Sequence, residues 1–518
     1  MLGLSLLLAV AGRLWATDAD LAQPPAEAPR PAAVAGGFYP AAPAKLRAAI
    51  DGYLRDAVPD RAGVPKVLVV PHAGYVYSGQ IAADAFRQTA GRTIETVVII
   101  GANHTTGGFD RASVYDGIAW QTPLGRVAVD RNLAQALVDA KVGAVFDRSL
   151  HEREHSIEVH VPMVQALHPA AAIVPIVIGT PDPGLCRRLG RELARLAAQR
   201  PILIVASSDL SHYPSAVDAR RLDRQLLETL VSDSAIPRLI ELEAAVGAPG
   251  VFPSPGLATR ACGLGPLLVA REAARELGAN HGVVLSYANS ADTVVGTPDR
   301  VVGYGAVSFS QGAAEVDVTA LVRPPADDRS PLDAEDKGLL LRLARETITR
   351  ALASETLPLP RGGSPRLMRE SGSFVTLRAR GEMRGCVGRV LPEGPLIRLV
   401  SAMAFQSAFA DPRFRPLRPG ELKGLEIEVS VLTPPREAKV SDIVPGRDGV
   451  ILRLKDKIAV YLPQVATEQG WSRIDLLDNL AVKAGLPSSA WRDRNARFQT
   501  FQADVFSESS LGRKSLPE

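Results

Sequence analysis

From about Ala33 to Gln311 the chain alternates short Val- and Ile-rich runs with amphipathic stretches, and few folds accept that alternation. VPKVLVVP, TVVIIGAN, AAIVPIVIG, ILIVASSDL, VVLSYANS and VVGYGAVSF are nearly continuous in apolar residues. That is the pattern of strands covered on both faces. RNLAQALVDA, PGLCRRLGRELARLAAQ and GPLLVAREAARELG carry the helical period instead. The pattern predicts an α/β domain with a largely parallel central sheet, whose ligand crevice lies at the carboxyl ends of the strands.

Three of the eight histidines fall at such ends: His72 after VLVVP, His104 after VVIIGAN and His212 after ILIVASSDLS. Three imidazoles delivered from three strand ends should converge. Cys262, in TRACGLGPLLVAREAARELG, opens a helix whose terminal amides favour a thiolate. Two or three imidazoles with one thiolate make a transition-metal shell. In EHSIEVHVPMVQAL, His155 and Glu158 stand three apart and Glu154 and Glu158 four apart, so on a helix they share a face. They are candidates for a pocket wall, against the alternative of a capped surface helix. Tyr75, in HAGY, is either a pocket acid or a packing aromatic.

Core periodicity is lost in GAAEVDVTALVRPPADDRSP, which places a linker at residues 312–330. Beyond it, AEDKGLLLRLARETITRAL reads as a helix and SGSFVTLRARGEMRGCVGRV as a hairpin turning at Gly381. LEIEVSVLT and VILRLKDKIAVYLP add strands, giving an α+β second domain. No histidine follows His281, so a histidine metal site or base belongs to the first domain. In MRGCVG, Gly385 and Gly388 flank Cys386 and permit close backbone approach to a ligand. Arg384 is suited to clamp a carboxylate or phosphate there. The alternative is a tightly packed strand with a buried thiol.

With 59 basic against 56 acidic residues among 518, the net charge of +3 gives no electrostatic case for nucleic acid or an anionic membrane. No internal run is long enough to span a membrane. Cys186, Cys262 and Cys386 are far apart, odd in number and without CxxC spacing, which argues against a disulfide framework. The first residues, MLGLSLLLAVAGRLWATDADLAQPPAEAP, hold a short apolar run without a basic start, and their one A-x-A comes early. Unpaired thiols favour a cytoplasmic protein with an N-terminal tail; the alternative is an exported protein with a signal segment. The domain plan is a tail at 1–32, a metal-binding domain at 33–311, the linker, a second domain at 331–510 and a short tail at 511–518.

GGFYP, PHAGYVYSG (71–79), IGANH (100–104), EHSIEVHVP (154–162), SSDLSHY (207–213), ACG (261–263) and SYANS together resemble the Memo family, mediators of cell motility. That family's fold is similar to the LigB-like class III extradiol dioxygenases, in which two histidines and a carboxylate hold mononuclear non-heme iron. In the Memo pattern cysteine replaces the carboxylate. The resemblance implies His72, His104 and Cys262 as ligands of iron or copper, with His212 as proton shuttle or further ligand and Asp209 beside it. GSFVTL, MRGCVG, SAFADPRF, ELKGLEIEVSVLT and YLPQVATEQGW resemble the AMMECR family. Both families occur in the AmmeMemoRadiSam system, which implies a radical-SAM protein as partner. The expectation is an oxidoreductase-like protein acting on a small organic substrate, with the AMMECR-like domain binding substrate or completing the pocket. The rival reading is a non-catalytic metal- or peptide-binding adaptor. A hydrolase is disfavoured, since no G-x-S-x-G elbow accompanies the histidines.

Overall fold

The computed structural model describes residues 28–61, 63–246, 255–311, 330–357, 359–360, 364–391 and 394–511. The N-terminal apolar run, linker residues 312–329 and the tail from 512 lie outside the described residues. The first domain contains strands β1 (Pro65–Val70), β2 (Thr96–Ala102), β3 (Ala112–Val114), β4 (Ala119–Thr122), β5 (Gly125–Ala128), β6 (Ala144–Phe146), β7 (Ala172–Ile178), β8 (Ile202–Ser207), β9 (His281–Asn289) and β10 (Gly303–Ser310). One sheet takes the order β6-β3-β7-β2-β8-β1-β10-β9, and β4 and β5 form a separate ribbon.

The strands β7, β2, β8 and β1 run parallel, as their apolar runs predict. The edges are mixed: β10 is antiparallel to β1 and to β9, and β3 is antiparallel to β7. Between β9 and β10 lies one 3-10 turn, Ser290–Asp292, and no crossover helix, so β10 returns antiparallel. Alternate residues of each central strand go to opposite cores. Val67, Val69, Val98 and Ile100 pack with helices Pro183–Ala197 and Leu264–Glu276. Leu68, Val70, Val97 and Ile99 pack with helices Pro43–Arg55 and Tyr75–Arg87. Period-two alternation with both faces covered is why these runs are continuously apolar.

The N-terminal tail ends sooner than residue 32. Arg30, 3% exposed, lies inside the first domain with its guanidinium over the Trp120 ring. A buried arginine in a Pro/Ala-rich stretch gives no periodic signal, so the boundary was misplaced.

The second domain has two antiparallel four-stranded sheets. The first joins Ser373–Ala379, Glu382–Arg389, Leu425–Leu432 and Ala503–Ser507, covered by helices Ala334–Leu352 and Leu396–Phe409. The expected hairpin turns at Arg380 and Gly381, both at positive φ, as a two-residue turn of twisted strands requires.

More than the linker joins the domains. Asp292, buried in the first domain, is held by Arg220 at 2.7 Å and by Arg398 of the second domain at 2.6 Å. Asp56 and Arg350 make another cross-domain pair at 2.5 Å. Without Arg398 the buried Asp292 keeps Arg220 as its counter-charge, so the cost is that of the lost charge-assisted cross-domain bond, about 1.5–3 kcal/mol. Arg398→Ala is expected to lower the urea midpoint and speed proteolysis between the domains. Unchanged unfolding and cleavage would show that the domains do not depend on this contact.

Candidate metal centre

In the sheet, β8 lies between β2 and β1, with Val70 opposite Ser207 and Ile100 opposite Ala206. Three strand ends therefore emerge side by side, and neighbouring strands are only about 4.8 Å apart. The loops after them carry His72, His104 and the segment Ser208–His212. Cys262 reaches the same place just ahead of Gly263, which caps the helix Leu264–Glu276.

Each histidine is held by its far nitrogen. The Ser207 hydroxyl donates to the Ser156 carbonyl at 2.6 Å, so it only accepts from the imidazoles beside it: His72 Nδ1 at 2.7 Å and His160 Nε2 at 2.8 Å. This puts the His72 proton on Nδ1 and leaves Nε2 bare, 3.2 Å from Cys262 Sγ. Glu154 treats His104 alike. Its Oε1 accepts from His104 Nδ1 at 3.0 Å and its Oε2 from the His104 amide at 2.7 Å. Burial would raise the Glu154 carboxyl, but the hydrogen bonds from His104 and Ser156 outweigh it and hold it at about 2. A ligating histidine characteristically has its other nitrogen engaged in this way.

The donor atoms of His72, His104 and Cys262 lie within 4.8 Å of one another. Two overlapping groups, His104–Glu154–His155 and Asp209–His212–Cys262, meet the same distance. Two bare imidazole nitrogens facing one sulfur, with oriented rings behind them, fit a bound transition metal. Burial, with Coulomb contributions from neighbouring imidazoles, pushes the His72 pKa well below its ordinary value, so this ring stays a neutral donor.

His212 joins the patch. Its Nδ1 donates to the Leu210 carbonyl at 2.9 Å, leaving Nε2 as a base, and burial lowers its pKa. Asp209 accepts the amides of His72 at 2.7 Å and Ala73 at 3.3 Å, fixing the loop that carries His72. Burial raises its carboxyl to about 7. The His155 ring lies 4.7 Å from that of His104 and 5.5 Å from that of His72. A cavity of about 300 Å³ opens against Cys262, between Asn103, Thr259 and Pro266.

Several expectations need correction. The Cys262 thiol is not eased toward thiolate by its helix: burial and the charge of Asp209 push its pKa well above the ordinary value. Glu158 does not line the pocket with His155. It accepts from Arg30, Tyr39 and the amides of Ala33 and Val34, because the N-terminal segment crosses that side of the one-turn helix His155–Glu158. Tyr75 is a packing aromatic whose hydroxyl donates to the Val159 carbonyl at 2.8 Å. In the second domain, Arg384 grips Glu421 rather than an open anion site, at 2.7 and 3.2 Å. Gly385 lies against the Ser407 carbonyl and Gly388 against the Phe374 ring, leaving no room for a Cβ. These glycines serve packing. Cys386 is engaged through its amide to Asp411, its carbonyl to Arg413 and its sulfur to Thr376.

Ser207, Glu154 and His160 were missed as supports. A serine closing a buried strand has no signature of its own, and Glu154 drew notice only for its spacing from Glu158.

A family model described as Memo-like protein matches residues 30–308, more than half of the chain. The chain belongs to the Memo family. A second model, AMMECR1, matches residues 341–506, so this Memo-family protein carries a fused AMMECR1 domain. A MEMO1 family protein of Methanopyrus kandleri is 36% identical over 298 residues, covering 55% of this chain and 99% of that protein. A MEMO1 family protein of Aquifex aeolicus is 36% identical over 281 residues, covering 54% of this chain and 98% of that protein. Among solved structures, an uncharacterized protein from Pyrococcus horikoshii is 34% identical, covering 35% of this chain and 93% of that one, with a TM-score of 0.33.

Proposed function

We propose that this Memo-family chain is an oxidoreductase-like enzyme that holds one iron or copper ion on His72, His104 and Cys262 and acts on a small organic substrate. The observation supporting it is the pair of imidazoles whose outward nitrogens are fixed by Ser207 and Glu154, leaving two bare nitrogens beside one sulfur. Such an ion would supply redox and Lewis-acid chemistry, the soft thiolate favouring copper(I) and the imidazoles serving either metal. His212 accepts the substrate's proton at Nε2, since its Nδ1 is already engaged by Leu210. Asp209 keeps the His72 loop in place, and the cavity beside Cys262 receives the substrate. A radical-SAM protein is the proposed partner, on the pairing of these families. Free thiols at Cys186, Cys262 and Cys386 favour the cytoplasm.

Metal analysis of protein purified without oxygen tests the centre. About one ion per chain is expected for the wild type, with loss in His72→Ala, His104→Ala and Cys262→Ser. Ser207→Ala leaves the three ligands in place but removes the support behind His72, along with the acceptor of His160, and should weaken affinity about 10–100-fold. Unchanged metal content across the three ligand variants would refute the assignment. Metabolite profiling with cell extract then separates enzyme from adaptor: a compound consumed only by loaded protein supports the enzyme. The adaptor reading draws on the cysteine standing where the dioxygenases have a carboxylate, and loaded protein that consumes nothing would favour it.

A further inference from the structure

A cavity of about 500 Å³ lies between the two domains, and one side chain, Phe38, stands between it and the histidines. We infer, on the proposed reading of His72 and His104 as metal ligands, that this cleft is a second approach to the centre and that the Phe38 ring is its gate.

The ring has two neighbourhoods. It packs on His155 at 4.8 Å, and the His155 ring in turn lies 4.7 Å from that of His104 and 5.5 Å from that of His72. The same side chain lines the cleft. Half-buried, it therefore touches the imidazoles on one side and open volume on another. A different staggered χ1 position would swing the ring into that volume and uncover His155. Rotamer changes of this kind are fast where a side chain borders solvent.

The backbone beneath is fixed, which makes the side chain the moving part. The Phe38 amide donates to the Val34 carbonyl at 2.9 Å, and its carbonyl accepts from the Tyr75 amide at 2.7 Å. The Gly36 amide donates to the Tyr39 carbonyl at 2.7 Å, closing the turn that carries the ring. Glu158 secures the same segment through the amides of Ala33 and Val34 and the Tyr39 hydroxyl.

The far wall of the cleft belongs to the second domain, through Thr356, Leu357 and Ser401. Gly52 of the helix Pro43–Arg55 lacks the Cβ that would strike the Thr356 hydroxyl, so the two walls approach closely. The ion pairs Asp56–Arg350 and Asp292–Arg398 set the spacing across the interface. Small-molecule sites favour such places between domains. The fused domain thus limits what can arrive at Phe38, and the ring decides what passes. A gate of this kind governs access and leaves the chemistry to the ligands behind it.

Diethyl pyrocarbonate, which modifies neutral imidazoles, tests the gate on the full chain freed of metal by chelation, with each histidine read separately by peptide mass spectrometry. Phe38→Ala is expected to speed modification of His155 at least fivefold, and Phe38→Val covers misfolding of that variant. His281 opens the strand His281–Asn289 at the opposite end of the sheet and should react as in the wild type. Ala49→Trp or Leu357→Trp, added to Phe38→Ala, fills the cleft from one domain or the other. Each should return the His155 rate to within twofold of the wild type. No acceleration in either Phe38 variant would overturn the proposal. So would acceleration that both tryptophans leave in place, which puts the route elsewhere, or equal acceleration at His281, which marks general loosening. A wild-type chain that never holds an ion would sink the metal reading, while the His155 rates would still decide the gate.

Discussion

Glu158→Ala should destabilise the first domain by about 3–5 kcal/mol, the usual cost of leaving a buried partner charge uncompensated. The two side chains of the Arg30–Glu158 pair are 3% and 1% exposed, and their N–O distance is 2.6 Å. Arg30 also donates to the carbonyls of His151 and Glu154, so the guanidinium is committed to this position whether or not its carboxylate is present. Glu158 further accepts from the Tyr39 hydroxyl at 2.6 Å and the amides of Ala33 and Val34 at 2.8 and 3.0 Å. Its removal leaves a cation and three donors without their acceptor. Domains have only about 5–15 kcal/mol in total, so a large fraction is at stake. The loss should be felt at the candidate metal centre, since the same segment places Phe38 on His155. Urea unfolding and protease cleavage within residues 30–40 measure it, with Glu158→Gln as the milder comparison. A midpoint within experimental error of the wild type would show that the N-terminal segment is not anchored by this carboxylate.

That anchor also marks where the sequence stopped being readable. The strands VLVVP, VVIIGAN and ILIVASS were legible because burial on both faces demands continuous apolar runs, and the histidines after them followed from the geometry of parallel strands. Glu158 was not. Its spacing from His155 fits a pocket wall as well as it fits a latch, and only the crossing of Arg30, far away in sequence, decides between them. The same holds for MRGCVG. Glycines that admit a ligand and glycines that admit a neighbouring helix look identical in sequence, and the partner Glu421 lies 37 residues from Arg384. The short strands β3 to β6 are too brief to show a period. The tautomers of His72 and His104 depend on Ser207 and Glu154, which no spacing rule connects to them.

Acidification from pH 7 to pH 5 should destabilise the first domain far more than the second. Burial, together with the nearby Arg30 cation, lowers the pKa of His151 to about 3. The Ser113 hydroxyl donates to the Asp147 carbonyl and so only accepts from His151 Nε2, leaving Nδ1 bare and without a partner. Burial also lowers His160 to about 3. The unfolded chain protonates its histidines near pH 6.5 whereas these folded ones resist until near 3, so stability is complete above 6.5 and lost progressively below it. The loss is roughly 1.4 kcal/mol per pH unit for each proton, or about 2 kcal/mol per histidine between pH 6.5 and 5. His72, His155, His168 and His212 are shifted in the same direction. Asp209 and Asp223, raised by burial to about 7 and about 6, act in the opposite sense because the folded chain protonates them first. Two carboxylates offset roughly two histidines, and six depressed histidines leave the unfolded state the larger binder of protons. The second domain has no histidine, so it provides an internal reference. Hydrogen exchange resolved by peptide at pH 7, 6 and 5, corrected for intrinsic exchange rates, separates the two. Loss of protection confined to residues 30–310 is expected; equal loss in both domains, or none in the first, would mean that buried neutral histidines do not govern its acid stability.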